Sequence, residues 1–198
     1  MILDDNIKSQ LAEYIKLMEN DVLIKISPGS DSASKDMVSL IDELSALSER
    51  IRTEQVKLSR TPSFSINRMD EDTGVTFAGI PLGHEFNSLV LALLQVSGRA
   101  PKVDERLIEQ VKNLKGEYHF ETYISLSCHN CPEVVQALNL MSILNPGITH
   151  TMIDGAVYKD EVENKDIMAV PTVYLNGEEF GGGRMTLEEI LEKLGSTS

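Results

Sequence analysis

Apolar residues recur at helical spacing in some stretches of the chain and alternate with polar residues in others. Residues 4–18 show the helical pattern, with Asp4 or Asp5 available as the N-cap, and residues 22–27 favour a short strand. The first half is thereby predicted to form a helix (4–18), a strand (22–27), a helix (30–50), a strand (51–58), the two strands of a hairpin (59–67 and 75–80) and a closing helix (84–96).

The same order of elements returns after residues 97–102, SGRAPK, which are rich in small and helix-breaking types. The second half is predicted to form a helix (103–114), a strand (118–125), a helix (132–144), a strand (148–154), a short helix near 158–168, a hairpin (170–177 and 178–183) and a last helix (186–194). Short segments correspond as well, TPSFSI with VPTVYL and TFAGIPLGHEF with EFGGGRMTLEE. We therefore expect two copies of one α/β fold, at residues 1–98 and 103–195.

Composition narrows the possible partners and the compartment. With 18 basic and 31 acidic side chains and a formal net charge of −13, the chain lacks the positive surface from which nucleic-acid binding draws its affinity. No apolar run reaches the roughly 18 residues of a membrane span, and acids stand where a signal peptide needs a basic flank. We expect a cytoplasmic, reducing location, with neither nucleic acid nor a membrane as partner.

Both cysteines stand in SLSCHNCPEVVQAL, residues 125–138. A structural zinc site usually needs four ligands, and the four histidines offer no compact pair to complete one. A disulfide staple across so short a loop would remove little entropy from the unfolded chain. Two inert core thiols remain an alternative, but redox chemistry fits better, because the pair lies where a predicted strand meets a predicted helix.

This strand-to-helix junction predicts different roles for the two thiols. Pro132 suits the first turn of a helix, which places Cys128 at a helix N-terminus, where free N–H groups and the macrodipole favour an anion. Cys128 is therefore the predicted nucleophile. Cys131, one turn further along and less exposed, is the predicted resolving thiol.

A second motif, AVPTVYLNG at residues 169–177, is similar to the segment in which thioredoxin-fold oxidoreductases place a cis-proline beside the nucleophilic cysteine. By that resemblance Pro171 would turn the preceding backbone outward, so that it pairs with an incoming partner strand. An ordinary loop proline is the alternative.

With its internal duplication, the chain resembles the N-terminal domain of the flavoprotein F subunit of alkyl hydroperoxide reductase. Four segments carry the resemblance: SLSCHNCP, VPTVYLNG, GRMTLEEI and FAGIPLGHEFNSLVLALL. The resemblance implies two tandem thioredoxin-like folds, each a central mixed sheet flanked by helices, packed into one domain. It also implies that the Cys128–Cys131 pair passes electrons by thiol–disulfide exchange, from a reductase portion that binds FAD and NADH to the peroxiredoxin C subunit.

The chain departs from a complete reductase of that kind in two respects. It has no G-x-G-x-x-G motif, so we expect FAD and NADH on the parent protein, a disulfide as the only cofactor here, and an isolated domain or fragment. In the first half, SPGSDSAS (27–34) stands where the second half has its cysteines. That half is therefore predicted to be redox-silent and to act as a scaffold or a tuning element.

Two further residues are candidates for tuning the dithiol. The resemblance implies that Glu85, in PLGHEF, lies near the cysteines, where a carboxylate could relay protons; the alternative is a first-turn acid that stabilises its own helix terminus. His129, between the cysteines, favours a thiolate when protonated, or else points to solvent. A free-standing double-thioredoxin or glutaredoxin-like disulfide oxidoreductase and a redox-inert adaptor remain the alternative functions.

Overall fold

The computed structural model describes residues 2–196 of the chain. Its elements, in chain order, are α1 (Asp5–Ile15), β1 (Val22–Ser27), α2 (Ser32–Ala46), β2 (Ile51–Gln55), β3 (Ser63–Arg68), β4 (Val75–Ala78), a 3-10 turn (Gly83–Glu85), α3 (Phe86–Val96), α4 (Glu105–Lys112), β5 (Tyr118–Ile124), α5 (Cys131–Leu144), β6 (Ile148–Asp154), α6 (Lys159–Asn164), β7 (Thr172–Leu175), β8 (Glu178–Gly182) and α7 (Leu187–Ser196).

Aspartate caps explain where several helices begin. Asp4 and Asp31 accept backbone N–H groups at 2.8 Å at the starts of α1 and α2, and satisfy donors that have no partner within the helix. At its other end α1 stops at Ile15, earlier than its apolar pattern predicts. The chain tightens there into a turn, in which the Met18 N–H donates to the Ile15 carbonyl at 3.0 Å, and Met18 still reaches the core.

The sheet repeats one topology in the two halves. In the first half the strand order is β2-β1-β3-β4, with β1 parallel to β2 and antiparallel to β3, and with β3 antiparallel to β4. In the second half the order is β6-β5-β7-β8, with the same sequence of parallel and antiparallel pairs. The predicted duplication of an α/β fold with a mixed sheet is confirmed.

The two sheets are joined edge to edge. β4 pairs in parallel with β6, with Val75 opposite His150 and Ala78 opposite Ile153, so that one sheet of 8 strands runs through the molecule. This pairing removes an exposed edge from each half and satisfies its backbone groups. It also places the C-terminal ends of three parallel strands, β4, β6 and β5, side by side at one edge.

The hydrophobic core crosses the boundary between the halves. One cluster contains residues of α1, α2 and α3 together with Cys131, Val135 and Met152 of the second half, and α3 contacts α5 directly. A second cluster fills the space between α4, α5, α7 and the second half of the sheet. A small third cluster around Tyr123 and Ile153 lies on the opposite face of the sheet, because adjacent strand residues point to opposite sides.

Candidate dithiol site

Three loops meet at the edge of the sheet where β4, β5 and β6 end. The loop after β5 leads through Cys128 to Cys131, the first residue of α5, and Pro132 occupies the first turn as predicted. The loop after β4 contains the 3-10 turn with Glu85, and β6 ends at Asp154. The sheet topology therefore brings a segment of the first half against the cysteine loop of the second.

Cys128 and Cys131 form a disulfide, with their Cα atoms 5.6 Å apart. Cys131 is 0% exposed and belongs to the main core cluster, whereas Cys128 is only partly buried. The prediction that Cys131 is the less exposed of the two is confirmed. Because Cys128 precedes the first residue of α5, its sulfur lies at the helix N-terminus, where the macrodipole favours negative charge.

The segment before β7 lies beside the accessible sulfur. The Sγ of Cys128 is 3.8 Å from the carbonyl oxygen of Val170, and the Val170–Pro171 peptide bond is cis. The Thr61–Pro62 bond, which precedes β3 at the corresponding place in the first half, is also cis. The correspondence between TPSFSI and VPTVYL thus extends to the backbone.

Glu85 lies in the interior and not at the surface. Its side chain is 0% exposed, its Oε1 accepts a hydrogen bond from Ser88 Oγ at 2.7 Å, and its Oε2 has no hydrogen-bond partner among the residues that the structure describes. Burial raises the pKa of Glu85 from its ordinary value of 4.5 to about 7, against a smaller lowering by Ser88. Among the described residues, its carboxylate accepts no hydrogen bond from a backbone N–H group in the first turn of α3.

A short hydrogen-bonded chain connects Glu85 to the cysteine helix. Gln136 of α5 donates from Nε2 to Ser88 Oγ at 3.1 Å, and Ser88 in turn donates to Glu85. The 3-10 turn itself also contacts α5. Sequence reasoning missed Ser88 and Gln136, because nothing in their local pattern marks them as more than residues of two amphipathic helices.

His129 is exposed to solvent, as one of the two alternatives for it predicts, and it also makes a ring contact. Its ring lies against that of His84, with the ring centroids 4.2 Å apart and the planes at 58°. Sequence reasoning considered His129 but passed over His84, since the two are far apart in the chain. The only available signal was the place of His84 next to Glu85 in PLGHEF.

Asp154 is a second buried acid at this edge of the sheet. It stands opposite Ile124 at the end of the β5–β6 ladder, is 3% exposed and accepts a hydrogen bond from the Ala156 N–H at 2.9 Å. Burial raises the pKa of its carboxyl, and the bond from Ala156 opposes that effect. Sequence reasoning passed over Asp154, which looks like an ordinary residue at the end of a strand.

The place in the first half that corresponds to the cysteine loop is closed by polar contacts. The Ser34 Oγ accepts the Gly29 N–H at 2.8 Å, and the Asp31 carboxylate accepts the Ser34 N–H. These groups cap α2 but offer no sulfur. Within residues 2–196 no group of three or more His, Cys, Asp or Glu side chains is arranged to hold a metal, and none of the helices combines the length and the hydropathy that a membrane span needs.

Comparison with known proteins finds one family model and several relatives that match this chain. The family model of the thioredoxin domain matches residues 118–195. A Bacillus subtilis protein named NADH dehydrogenase is 71% identical over 196 residues, which are 99% of this chain and 38% of that protein. The F subunit of alkyl hydroperoxide reductase from Staphylococcus aureus is 61% identical over 197 residues, which are 100% of this chain and 38% of that protein.

A solved structure agrees with these relatives. The NTD_N/C domain of alkylhydroperoxide reductase AhpF from Enterococcus faecalis has a TM-score of 0.89 at 28% sequence identity, over 97% of this chain and 99% of that one. The chain spans 38% of the length of the curated relatives that it matches.

Proposed function

The chain belongs to the family of N-terminal domains of the F subunit of alkyl hydroperoxide reductase, and on this premise we propose that it is a thiol–disulfide oxidoreductase domain that passes two electrons from a flavoprotein reductase module to a peroxiredoxin. The observation that carries the proposal is a disulfide with one reachable sulfur and one buried sulfur, at the N-terminus of α5. FAD and NADH would be bound by the reductase module, and the disulfide would be the redox group of this chain.

The proposed exchange has two steps. In the reduced domain the Cys128 thiolate attacks one sulfur of the peroxiredoxin disulfide, that S–S bond breaks, and a mixed disulfide forms as one peroxiredoxin thiolate leaves. Cys131 then loses its proton and attacks the Cys128 sulfur, which re-forms the Cys128–Cys131 disulfide and releases the second thiolate. Two electrons and two protons have then passed to the peroxiredoxin. A dithiol of the reductase module then reduces the Cys128–Cys131 disulfide by the same two exchange steps.

We assign Cys128 as the attacking thiol because a partner can reach only the less buried sulfur. Its place before α5 also favours the thiolate, which is the form that attacks. Cys131, enclosed in the core cluster, is positioned to attack from behind once the mixed disulfide has formed.

Pro171 is proposed to hold the Val170 backbone beside the reacting sulfur. The 3.8 Å between Val170 O and Cys128 Sγ leaves this main chain next to the point where a partner disulfide must arrive. An extended partner segment that pairs with the backbone there would be aligned with Cys128, in the manner of β-strand addition.

Glu85 is proposed to hold the proton that the dithiol exchanges. A carboxyl with a pKa of about 7 gains and loses a proton near neutral pH, which is what a general acid–base group requires. Its hydrogen-bonded chain through Ser88 to Gln136 fixes it relative to the cysteine helix. On this proposal residues 1–98 form a redox-silent fold that tunes the active fold of residues 103–195.

We propose a cytoplasmic, reducing location, because a dithiol that cycles must be able to be reduced again. The competing function, a free-standing disulfide oxidoreductase of the double-thioredoxin kind, uses the same sulfur chemistry but does not favour a peroxiredoxin. Substrate preference therefore separates the two functions.

The test is to trap the mixed disulfide. Cys131→Ser, mixed with an oxidised peroxiredoxin of the kind that alkyl hydroperoxide reductase uses, should accumulate a covalent adduct through Cys128, visible by mass spectrometry, and Cys128→Ser should form none. The reduced wild-type domain should yield two peroxiredoxin thiols for each disulfide that it forms. An adduct through Cys131 in Cys128→Ser would reverse the assignment, and equal rates with insulin disulfides would favour the free-standing oxidoreductase.

A further inference from the structure

The half of the chain without cysteines contributes an imidazole to the dithiol site. His84 lies in the 3-10 turn that follows β4, and His129 lies between the two cysteines; their ring centroids are 4.2 Å apart. Both side chains are exposed, so burial in the core does not impose this contact. The contact therefore depends on where the two backbones place these side chains.

One main-chain hydrogen bond and one close backbone approach hold the segment of Gly83 and His84 against the cysteine loop. The His84 N–H donates to the Leu126 carbonyl at 2.9 Å. Gly83 has a φ of +56°, and a Cβ there would come within 2.7 Å of the same Leu126 oxygen, so only glycine permits this approach. The loop that leads to Cys128 therefore determines where His84 stands.

We infer that His84 is a positioning residue of the dithiol site, whose ring restricts the position of the imidazole of His129, the residue that follows Cys128 in the chain. The inference rests on the proposed thiol–disulfide exchange and adds to it a residue of the silent half. A fixed polar group acts on a developing thiolate without having to reorient as charge appears, whereas a freely rotating imidazole averages its effect over many positions.

Two other titratable side chains close to the two histidines in the chain make contacts elsewhere. Glu85 follows His84, but its carboxyl turns inward to Ser88. Glu133, in the first turn of α5, forms an ion pair with Arg184. Together with Cys128 and Cys131 these groups set the electrostatic surroundings of the imidazoles, and none of them replaces the ring contact that His84 makes.

The experiment measures the reactivity of Cys128 without any protein partner. The rate constant for alkylation of Cys128 by iodoacetamide is followed across pH in the fully reduced domain, in a Cys131→Ser background. His84→Ala should shift the pH profile and change the rate constant by roughly two- to fivefold, the size expected of one ring–ring contact. His84→Phe, which keeps a ring face against His129, should retain most of the wild-type behaviour.

A double variant and a matched control decide the interpretation. If His84 acts through His129, His84→Ala should have no further effect in a His129→Ala background. His119→Ala, which removes an exposed histidine near the start of β5, should leave the profile unchanged. The inference is overturned if His84→Ala matches wild type, if its effect persists without His129, or if Phe behaves like Ala. Because no peroxiredoxin is used, this result is independent of the trapping experiment.

Discussion

At Glu85, burial of one carboxyl group makes the stability of the folded protein depend on pH. From the sequence, one of the two alternatives for Glu85 is an acid in the first turn that stabilises its own helix. Such an acid contributes about 0.3 to 1 kcal/mol at a protein surface. The buried position excludes that surface role, because a fully enclosed carboxylate is destabilised by the loss of water. The protonated form is therefore favoured in the folded protein up to a pH of about 7.

Glu85→Gln should remove a pH-dependent contribution to stability. The folded pKa lies above the unfolded value of 4.5, so the folded state holds the proton more strongly and wild-type stability falls as pH rises from 4.5 to about 7. Relative to wild type, the Gln variant should be about 2 to 3 kcal/mol more stable at pH 8 than at pH 5, since one pKa unit corresponds to ~1.4 kcal/mol. Urea unfolding at the two pH values measures the difference.

The exposed Glu109→Gln of α4 is the matched control and should show no such pH dependence. If the effect of Glu85→Gln on stability is the same at both pH values, Glu85 is ionised throughout and does not hold a proton near neutrality. The role in exchange is tested separately, because a proton-holding group should also alter the pH profile of disulfide exchange.

At the scale of elements, His150 ties two strands to the cysteine helix. It is 0% exposed on β6, with Nε2 2.8 Å from Thr122 Oγ1 of β5 and Nδ1 2.7 Å from Asn139 Oδ1 of α5. The Asn139 oxygen can only accept, so Nδ1 bears the hydrogen and Nε2 accepts from the Thr122 hydroxyl. Burial lowers the pKa of His150 to about 3, which keeps the ring neutral.

His150→Gln should destabilise the domain at neutral pH and remove part of its acid sensitivity. The unfolded chain takes up a proton at the ordinary histidine pKa of 6.5 and the folded one does not, so wild-type stability is lost as pH falls from 6.5 toward 3. The gap between wild type and variant should therefore shrink by about 3 kcal/mol between pH 8 and pH 4. Chemical denaturation at both pH values is the measurement, and a constant gap would contradict the buried neutral state.

At the scale of the molecule, an ion network reinforces the joined sheet. Arg60 of the first half donates to both carboxylate oxygens of Glu161 at 2.9 Å and also pairs with Glu121 of β5. Tyr123 donates to the same Glu161 at 2.7 Å, and the Tyr158 hydroxyl donates to the Pro62 carbonyl at 2.6 Å. These contacts clamp the halves together on the face of the sheet opposite the main core cluster.

Arg60→Ala should cost about 2 to 3 kcal/mol of unfolding free energy, because it leaves two partly buried carboxylates without their cation. The hydrogen bonds from Arg60 are the main reason that the pKa of Glu161 lies below its ordinary value of 4.5. The destabilisation caused by Arg60→Ala should therefore diminish as pH falls below 4.5 and Glu161 takes up a proton. Arg106→Ala, which breaks an exposed pair with Glu188, is the control and should cost less than about 1 kcal/mol. Equal losses in thermal or urea unfolding would show that the network contributes no more than a surface ion pair.

The sequence alone determined the features that depend on neighbours along the chain. Periodic apolar positions and aspartate caps specify α1, α2 and most strands to within a few residues, because helices and strands are stabilised by contacts over short sequence distances. The duplicated order of elements and the position of Cys128 and Cys131 at a strand-to-helix junction are local in the same sense. The early end of α1 shows the limit, since Met18 keeps its buried face in a turn and not in a helix.

The tertiary structure decided what depends on which distant segments meet. β4 pairs with β6 because the edge strands of the two halves meet over a shared core. The periodicity within a strand does not predict which other strand it will pair with. Glu85 is buried, and the exposed His84 ring contacts that of His129, although nothing in the sequence around PLGHEF predicts either feature. The sequence therefore predicted the cysteine pair and its place at a strand-to-helix junction, because these depend on neighbours along the chain. The position of Glu85 and of His84 in the three-dimensional structure depends on contacts between distant segments, which only the fold determines.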